Sequence, residues 1–427
     1  MGMKSYRNRI LDGILKEELS IMGAVVIEGA KWCGKTTTAE QAAASVMYMD
    51  EEGKTDANIL LARTAPERIL SGEMPRLIDE WQLAPSLWDS IRFRADRLPQ
   101  PGGYILTGSS VPPKSEEIRH SGAGRFSWIR MRPMSLWESG DSSGEVSLAG
   151  LFAGNFPNGA PSAAQKLDEM AFLACRGGWP YVSELKTGVA LNVAFSYINA
   201  IVKSDISRVD GVSRDEARAR RLMRSYARLQ GTQATAAVIK ADLAANEPKS
   251  FGEATVCSYI NALKGIFAVE DMPAWCPNLR SKTPIRTSDT RYFTDPSIAT
   301  AALGLAPDDL MNDLRTFGLV FETMAARDLR VYADAVRGSV SHYRDANGLE
   351  CDAVVHLRNG RHGLVEVKLG GKELIDKGAD TLNALASKIA KGQSMQPSFK
   401  MVLTAVGDFA YRRDDGVIVC PIGALKE

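Results

Sequence analysis

The sequence predicts an α/β protein: a P-loop-type domain built on a largely parallel sheet, then a helical segment, then a second α/β domain. Three observations carry this. Short apolar runs alternate with helical segments over the first 140 residues, as in parallel sheets covered by helices. Gly29, Ala30, Lys31, Trp32, Cys33, Gly34, Lys35 and Thr36 spell G-x-x-x-x-G-K-[ST] between one such run and a helical stretch. Near the C-terminus Asp352, Glu366 and Lys368 spell D-x13-E-x-K on strand-like segments.

Taken in order, residues 7–20 carry apolar side chains at helical spacing and lead into the apolar run 24–27, a buried-strand pattern. Strand-like runs follow at 46–49, 76–79, 103–107 and 128–131. Residues 138–166 are rich in Gly, Ser, Pro and Asn, which marks a connector. The expected boundaries are therefore a P-loop domain at 1–140, a linker at 141–166, a helical and winged-helix-like segment at 167–284, and the second α/β domain at 285–427. Breaks are expected at Gly177 to Pro180, at 246–250, and in the Pro-containing stretch 272–284.

The chain has 427 residues, with Lys+Arg 52 against Asp+Glu 51 and 45% hydrophobic residues, so any site for a polyanion must be local rather than global. No apolar run approaches the roughly 18 residues of a spanning helix, and a cytoplasmic protein is expected. Six cysteines without a C-x-x-C pair argue against a zinc site or disulfide framework and read as free thiols. The four histidines sit in no motif for nucleophilic catalysis.

The loop at 29–36 has the parts that phosphate binding needs: glycines that let backbone N–H groups close on phosphate, a helix N-terminus, Lys35 for the β and γ phosphates, and Thr36 as a Mg²⁺ ligand, with Thr37 beyond it. Asp79 and Glu80 end the strand at 76–79; Asp79 is expected to hold Mg²⁺ through water and Glu80 to polarise the attacking water. Ser109, after the strand at 103–107, reads either as a γ-phosphate sensor or as a polar strand terminus. Arg125, on a glycine-flanked loop, reads either as an arginine finger or as a solvated surface residue.

Residues 222–270 look like a helix-turn-helix with a wing, yet Lys264 is the lone basic side chain between Gly252 and Gly265, which favours packing or protein interaction over DNA. The run Arg214-Asp215-Glu216-Ala217-Arg218-Ala219-Arg220-Arg221, with Arg224 and Arg228 beyond, instead reads as a basic helical face, either meeting phosphate or simply carrying mixed charges into solvent. At the C-terminus, strand alternation sends Glu366 and Lys368 to one face and Val365 and Val367 to the other. Asp352 and Glu366 sharing Mg²⁺ or Mn²⁺, with Lys368 stabilising developing charge, is the PD-(D/E)xK nuclease pattern. Register decides it: a two-residue Asn359-Gly360 turn puts Asp352 opposite Val367, whereas a three-residue Arg358-Asn359-Gly360 loop with Gly360 left-handed puts Asp352 opposite Glu366. The three-residue loop is expected.

These motifs, with Leu77-Ile78-Asp79-Glu80-Trp81, Gly177-Gly178-Trp179-Pro180 and Ser204-Asp205-Ile206, resemble over most of the chain the AAA-like P-loop ATPases of bacteria and archaea that carry a C-terminal restriction-endonuclease-like domain of uncharacterised function. Where such proteins tend to have Pro-Arg-Gln-Val in the loop, this chain has Ala30-Lys31-Trp32-Cys33. The resemblance implies an ATP- and Mg²⁺-dependent ATPase, a winged-helix module, and Glu322 as a helix-borne acid added to the C-terminal site. It leaves two readings of the whole: an ATPase coupled to a domain that binds or cleaves DNA, with DNA, a protein partner or an oligomer as assemblies, or a nucleotide-switched interaction or regulatory protein whose nuclease-like domain is inert.

Overall fold

Five parallel strands carry the N-terminal motifs in a computed structural model that describes residues 6–110, 122–163, 166–185, 187–246, 251–276, 288–391 and 395–427. The expected breaks at 246–250 and 272–284 lie largely outside those residues. By contacts the chain divides into one unit of Met1–Pro133, Ser204–Arg214 and Asn261–Phe267, and a second of Met134–Lys203, Asp215–Ile260 and Ala268–Glu427.

In the first unit α1 (Ile10–Leu19) leads into β1 (Ala24–Glu28), and the P-loop follows into α2 (Lys35–Ala42). The remaining elements are β2 (Ser45–Tyr48), α3 (Thr55–Thr64), α4 (Pro66–Leu70), β3 (Arg76–Asp79), α5 (Leu87–Ala95), β4 (Tyr104–Gly108) and β5 (Phe126–Arg130). The strand order is β2-β3-β4-β1-β5 and every pairing is parallel. Both sheet faces are covered: Val26, Ile78 and Leu106 pack on one side with Trp81, Trp88 and Ile91, while Val25, Ile27, Leu77 and Ile105 pack on the other with Leu11 and Leu15 of α1. This explains why the strands read as continuous apolar runs rather than alternating ones. It also gathers the C-terminal ends of β1, β3 and β4 at one edge of the sheet, where open parallel sheets form ligand crevices.

In the second unit the segment 141–166 corrects the linker expectation. Val146–Ser147 pairs in parallel with Leu425–Lys426, Leu148–Ala153 is helical, and Ala160–Pro161 adds to the edge of the C-terminal sheet. Ser142 Oγ donates to Leu425 O at 2.8 Å and Ser147 Oγ to Glu427 O at 2.6 Å. The Gly and Ser residues supply turns and caps, while Val146, Leu148, Leu151 and Phe152 are core residues.

Helices α6 (Leu167–Arg176), α7 (Asn192–Ala200), α8 (Glu216–Arg228), α9 (Ala236–Asn246) and α10 (Glu253–Gly265) follow. Antiparallel bridges Val269–Phe293 and Met272–Thr290 come after α10. Then come α11 (Pro296–Leu303), the long α12 (Leu314–Ala335), β6 (Gly338–Arg344), β7 (Glu350–Leu357), β8 (His362–Lys368), α13 (Lys372–Lys391), β9 (Phe399–Thr404), β10 (Phe409–Arg412) and β11 (Ile418–Pro421). The C-terminal sheet is mixed: β6, β7 and β8 are antiparallel neighbours, β9 and β11 extend β8 in parallel, and β10 returns antiparallel.

The β7–β8 hairpin takes the expected three-residue loop. Leu357 N donates to Arg361 O at 2.8 Å, Gly360 has φ 86°, and pairs run from His362–His356 to Val365–Ala353. One further step sets Asp352 opposite Glu366. Cys33, Cys175, Cys257, Cys351 and Cys420 are free thiols. Among the described residues no helix is long and apolar enough to cross a membrane.

Candidate functional site

The turn after β1 needs glycine at its first position because a Cβ on Gly29 would lie 2.0 Å from Met131 O. Lys35 begins α2, buried, with Nζ donating to Ala30 O at 2.9 Å inside the loop. Cys33 is fully buried, whereas its neighbour Trp32 is exposed at φ 65°. Thr37 lies exposed on the first turn of α2. Lys31 reaches out of the loop to Asp205, Nζ to Oδ1 2.6 Å. Two residues with no role in the motif brace the loop. Arg9 donates through Nη1 to Cys33 O at 2.8 Å and through Nη2 to Arg132 O at 2.9 Å, and Tyr6 OH donates to Asp12 Oδ1 at 2.6 Å while lying 3.0 Å from Thr38 Oγ1. Burial, and then the Asp12 bond, raise the Tyr6 phenol well above its ordinary value.

Thr36 and Asp79 meet as the motif requires: Thr36 Oγ1 donates to Asp79 Oδ1 at 2.8 Å, and Thr107 Oγ1 donates to the same oxygen. Burial nevertheless holds the Asp79 carboxyl above its ordinary range, the two hydroxyl donors opposing it. Glu80 adopts a left-handed conformation, φ 53°, that turns its side chain off the strand end. A non-glycine residue held there is a strained element of the kind that collects at functional sites. Its Oε2 accepts from Gln82 Nε2 and from Ser109 Oγ, the latter at 2.9 Å. Ser109 thus joins the site through Glu80. A Cβ on Gly108 would meet Gln82 Oε1 at 2.9 Å, so glycine leaves room for that amide.

Arg125 is placed elsewhere. It precedes Phe126, which pairs with Ala24 at the N-terminal end of β1, so it sits a strand length, roughly 15 Å, from the P-loop of its own chain. Its Nε donates to Asp96 Oδ1 at 2.6 Å. This corrects the arginine-finger expectation for the chain's own site: parallel pairing sends the two ends of β5 to opposite edges. At the P-loop edge stands Arg130, paired with Glu28 and with its guanidinium 4.6 Å from the Phe267 ring. The sequence reading gives Arg9, Arg130 and Gln82 no role and marks Asp205 only within the Ser204-Asp205-Ile206 motif, because no local pattern shows a residue that acts through a loop carbonyl or a distant segment.

A second cluster lies on the C-terminal sheet. Lys368 Nζ donates to Glu366 Oε2 at 2.7 Å and to Asp352 Oδ2 at 3.2 Å, and Val367 N also donates to Asp352 Oδ2, at 2.8 Å. Glu322 of α12 is bonded by Tyr292 OH. Burial, reinforced by the charge on Asp352, raises the Glu322 carboxyl well above its ordinary value and pushes that of Glu366 up to about 8. Glu366 is 4% exposed, and among the described residues its Oε1 has no hydrogen-bond partner. The expectation of one chemical face and one buried face needs correcting here: β8 is a central strand and both faces are covered, Leu364 packing with Ala379 and Leu382 of α13. Among the described residues no group of three or more His, Cys, Asp or Glu side chains is placed to hold a metal ion. The ammonium of Lys368 instead bridges the two carboxylates that were expected to share one.

Three stretches match family models: residues 22–139 the AAA domain, residues 167–309 a domain of unknown function (DUF8612), and residues 317–425 another (DUF4143). An uncharacterized protein of Mycobacterium bovis and one of Mycobacterium tuberculosis are each 24% identical to this chain over 356 residues, covering 83% of it and 72% of the relative. A solved Walker-type ATPase of Pyrococcus abyssi is 14% identical, with a TM-score of 0.42, over 70% of this chain and 96% of that one. The stretch that matches the AAA domain holds the five-stranded parallel sheet and the β1–α2 loop.

Proposed function

We propose that the chain binds ATP with Mg²⁺ at the β1–α2 loop and hydrolyses it. The observation that carries this reading is the meeting of Thr36 with Asp79 at 2.8 Å beside a left-handed Glu80 that is braced by Ser109 and Gln82. Thr36 and Asp79 offer hard oxygen donors at one point, a set that fits a largely hydrated Mg²⁺. When bound, the ion supplies positive charge that Asp79, raised by burial, accommodates in its ionised form. Lys35 exchanges the carbonyl of Ala30 for phosphate oxygen, the loop N–H groups and the α2 N-terminus hold the phosphate chain, and Glu80 orients and deprotonates water through its remaining oxygen. Arg9 keeps the loop in shape from behind. The test is phosphate release from ATP by purified protein with Mg²⁺ and with EDTA. Absence of both binding and Mg²⁺-dependent turnover defeats the reading.

A second reading concerns the C-terminal domain: that it is nuclease-like and binds or cleaves DNA. It is favoured by the Asp352–Lys368–Glu366 triad on one face and by the buried Glu366 Oε1, which has no hydrogen-bond partner among the described residues. Lys368 stands where two carboxylates would hold a cation, so no step is assigned to a metal there. The alternative is an inert domain used for interaction or regulation. Incubating plasmid DNA with the protein and Mg²⁺ or Mn²⁺, with and without ATP, separates them: nicking lost in Asp352→Asn supports the nuclease, and intact plasmid throughout leaves the inert reading.

A further inference from the structure

The second unit carries one strongly charged surface that neither site uses, the solvent face of α8. At 100° per residue, Arg220, Arg224, Arg228, Arg221 and Arg218 fall within about 160° of the helix circumference. Ala219, Leu222, Met223 and Tyr226 occupy the opposite, buried face. From Ala217 to Arg228 the helix has no acidic residue. Arg218, Arg220 and Arg224 are exposed, and among the described residues no carboxylate pairs with any of them. Arg220 Nη2 donates to the neutral Asn199 Oδ1 at 2.7 Å, and the guanidinium of Arg218 stands 5.9 Å from the Phe251 ring, so both are steadied by partners that leave their charge intact. Arg228 is different: Asp242 takes it at 2.6 Å, which ends the strip at the helix C-terminus.

In a chain with a net charge of +1 this concentration is a local field, and arginine is the residue that matches phosphate with two parallel N–H donors. We propose that this face of α8 docks the phosphate backbone of nucleic acid, without reading sequence. The strip from Arg218 to Arg224 rises roughly 9 Å, enough to meet successive phosphates of one strand. A lipid surface would want apolar anchors beside the charges, and the exposed positions between these arginines offer only Ala217. Helix α10 bears Lys264 as its one basic residue, so positioning by α8 and not base reading by α10 is the expected mode. The inference is independent of ATP hydrolysis and of whether Asp352 and Glu366 cut anything.

The experiment is fluorescence anisotropy of labelled DNA duplexes with the full chain. Three phosphate contacts predict a slope of log affinity against log salt of about −2.7, hence roughly a fortyfold loss between about 50 and 200 mM salt. Permuting the duplex sequence should change affinity by less than about threefold. Arg218→Ala/Arg220→Ala/Arg224→Ala should weaken binding more than about tenfold and flatten the salt slope by 2–3. ATP turnover and the thermal melt should be retained, because these side chains are exposed and lie outside the P-loop. The triple lysine variant should keep binding within severalfold, which separates lost charge from lost fold. Unchanged duplex affinity in the alanine variant overturns the proposal. So does binding of polyglutamate, or of phosphatidylserine vesicles, by a protein that ignores the duplexes.

Discussion

Lys35 and Glu80 meet the same nucleotide at different stages, and single substitutions separate them. Lys35 is buried and bonded within its own loop, so Lys35→Ala removes the charge partner of the phosphates and leaves the Gly29 and Gly34 backbone intact. ATP affinity should fall by at least about tenfold, read by titration of a fluorescent ATP analogue; unchanged affinity would sink the P-loop assignment. Glu80→Gln keeps the size of the side chain and loses the basic oxygen. Binding should survive while turnover drops roughly 10²–10³-fold in a phosphate-release assay, in the range of a lost general base, and a parent-level rate would place the base elsewhere. Gln82 and Ser109 were the residues needed to see how Glu80 is aimed, and only Ser109 stood out in the sequence.

At the scale of elements, the β7–β8 hairpin turns on Gly360, whose φ of 86° a side chain resists. Gly360→Ala should cost about 1–2 kcal/mol in urea unfolding, with the turn itself otherwise free of close neighbours, the nearest being Met395 at 3.9 Å. The same sheet buries His342 and His362, and burial lowers both imidazoles from their ordinary value of 6.5. The unfolded chain binds protons at these sites before the folded one does. Their contribution is therefore fully present above about pH 6.5 and is lost as pH falls from there toward the depressed folded values. The His362 ring lies 4.7 Å from that of Trp275, tilted by 43°, and among the described residues its Nε2 has no hydrogen-bond partner. His362→Gln should therefore flatten the loss of stability between pH 7.5 and about 5.5 relative to the parent, by up to roughly 1 kcal/mol. Equal slopes in denaturant melts at the two pH values would show that this histidine titrates alike in both states.

At the scale of the molecule, ATP with Mg²⁺ at about 100-fold over its dissociation constant should stabilise the folded chain by about 2.7 kcal/mol, a rise in melting temperature of roughly 3 °C for 427 residues unfolding together. Scanning calorimetry should show no such rise with Lys35→Ala; an equal rise in that variant would mean the ligand binds elsewhere. Both units are discontinuous in sequence, since Ser204–Arg214 and Asn261–Phe267 join the N-terminal sheet unit. The boundary expected near residue 140 did not anticipate such returns. The sequence by itself determined the P-loop between strand and helix, the acidic end of β3, and the hairpin register that sets Asp352 opposite Glu366. These depend on short-range turn chemistry and on the periods of side chains along an element. The tertiary structure alone decided that Arg125 stands at the far edge of the sheet, that Lys31 is tied to Asp205 and the loop backed by Arg9, that residues 142–147 are held to Leu425–Glu427, and that Glu366 is covered on a central strand. Each of these follows from which elements, far apart in the chain, pack together, and no local pattern of residues encodes that choice.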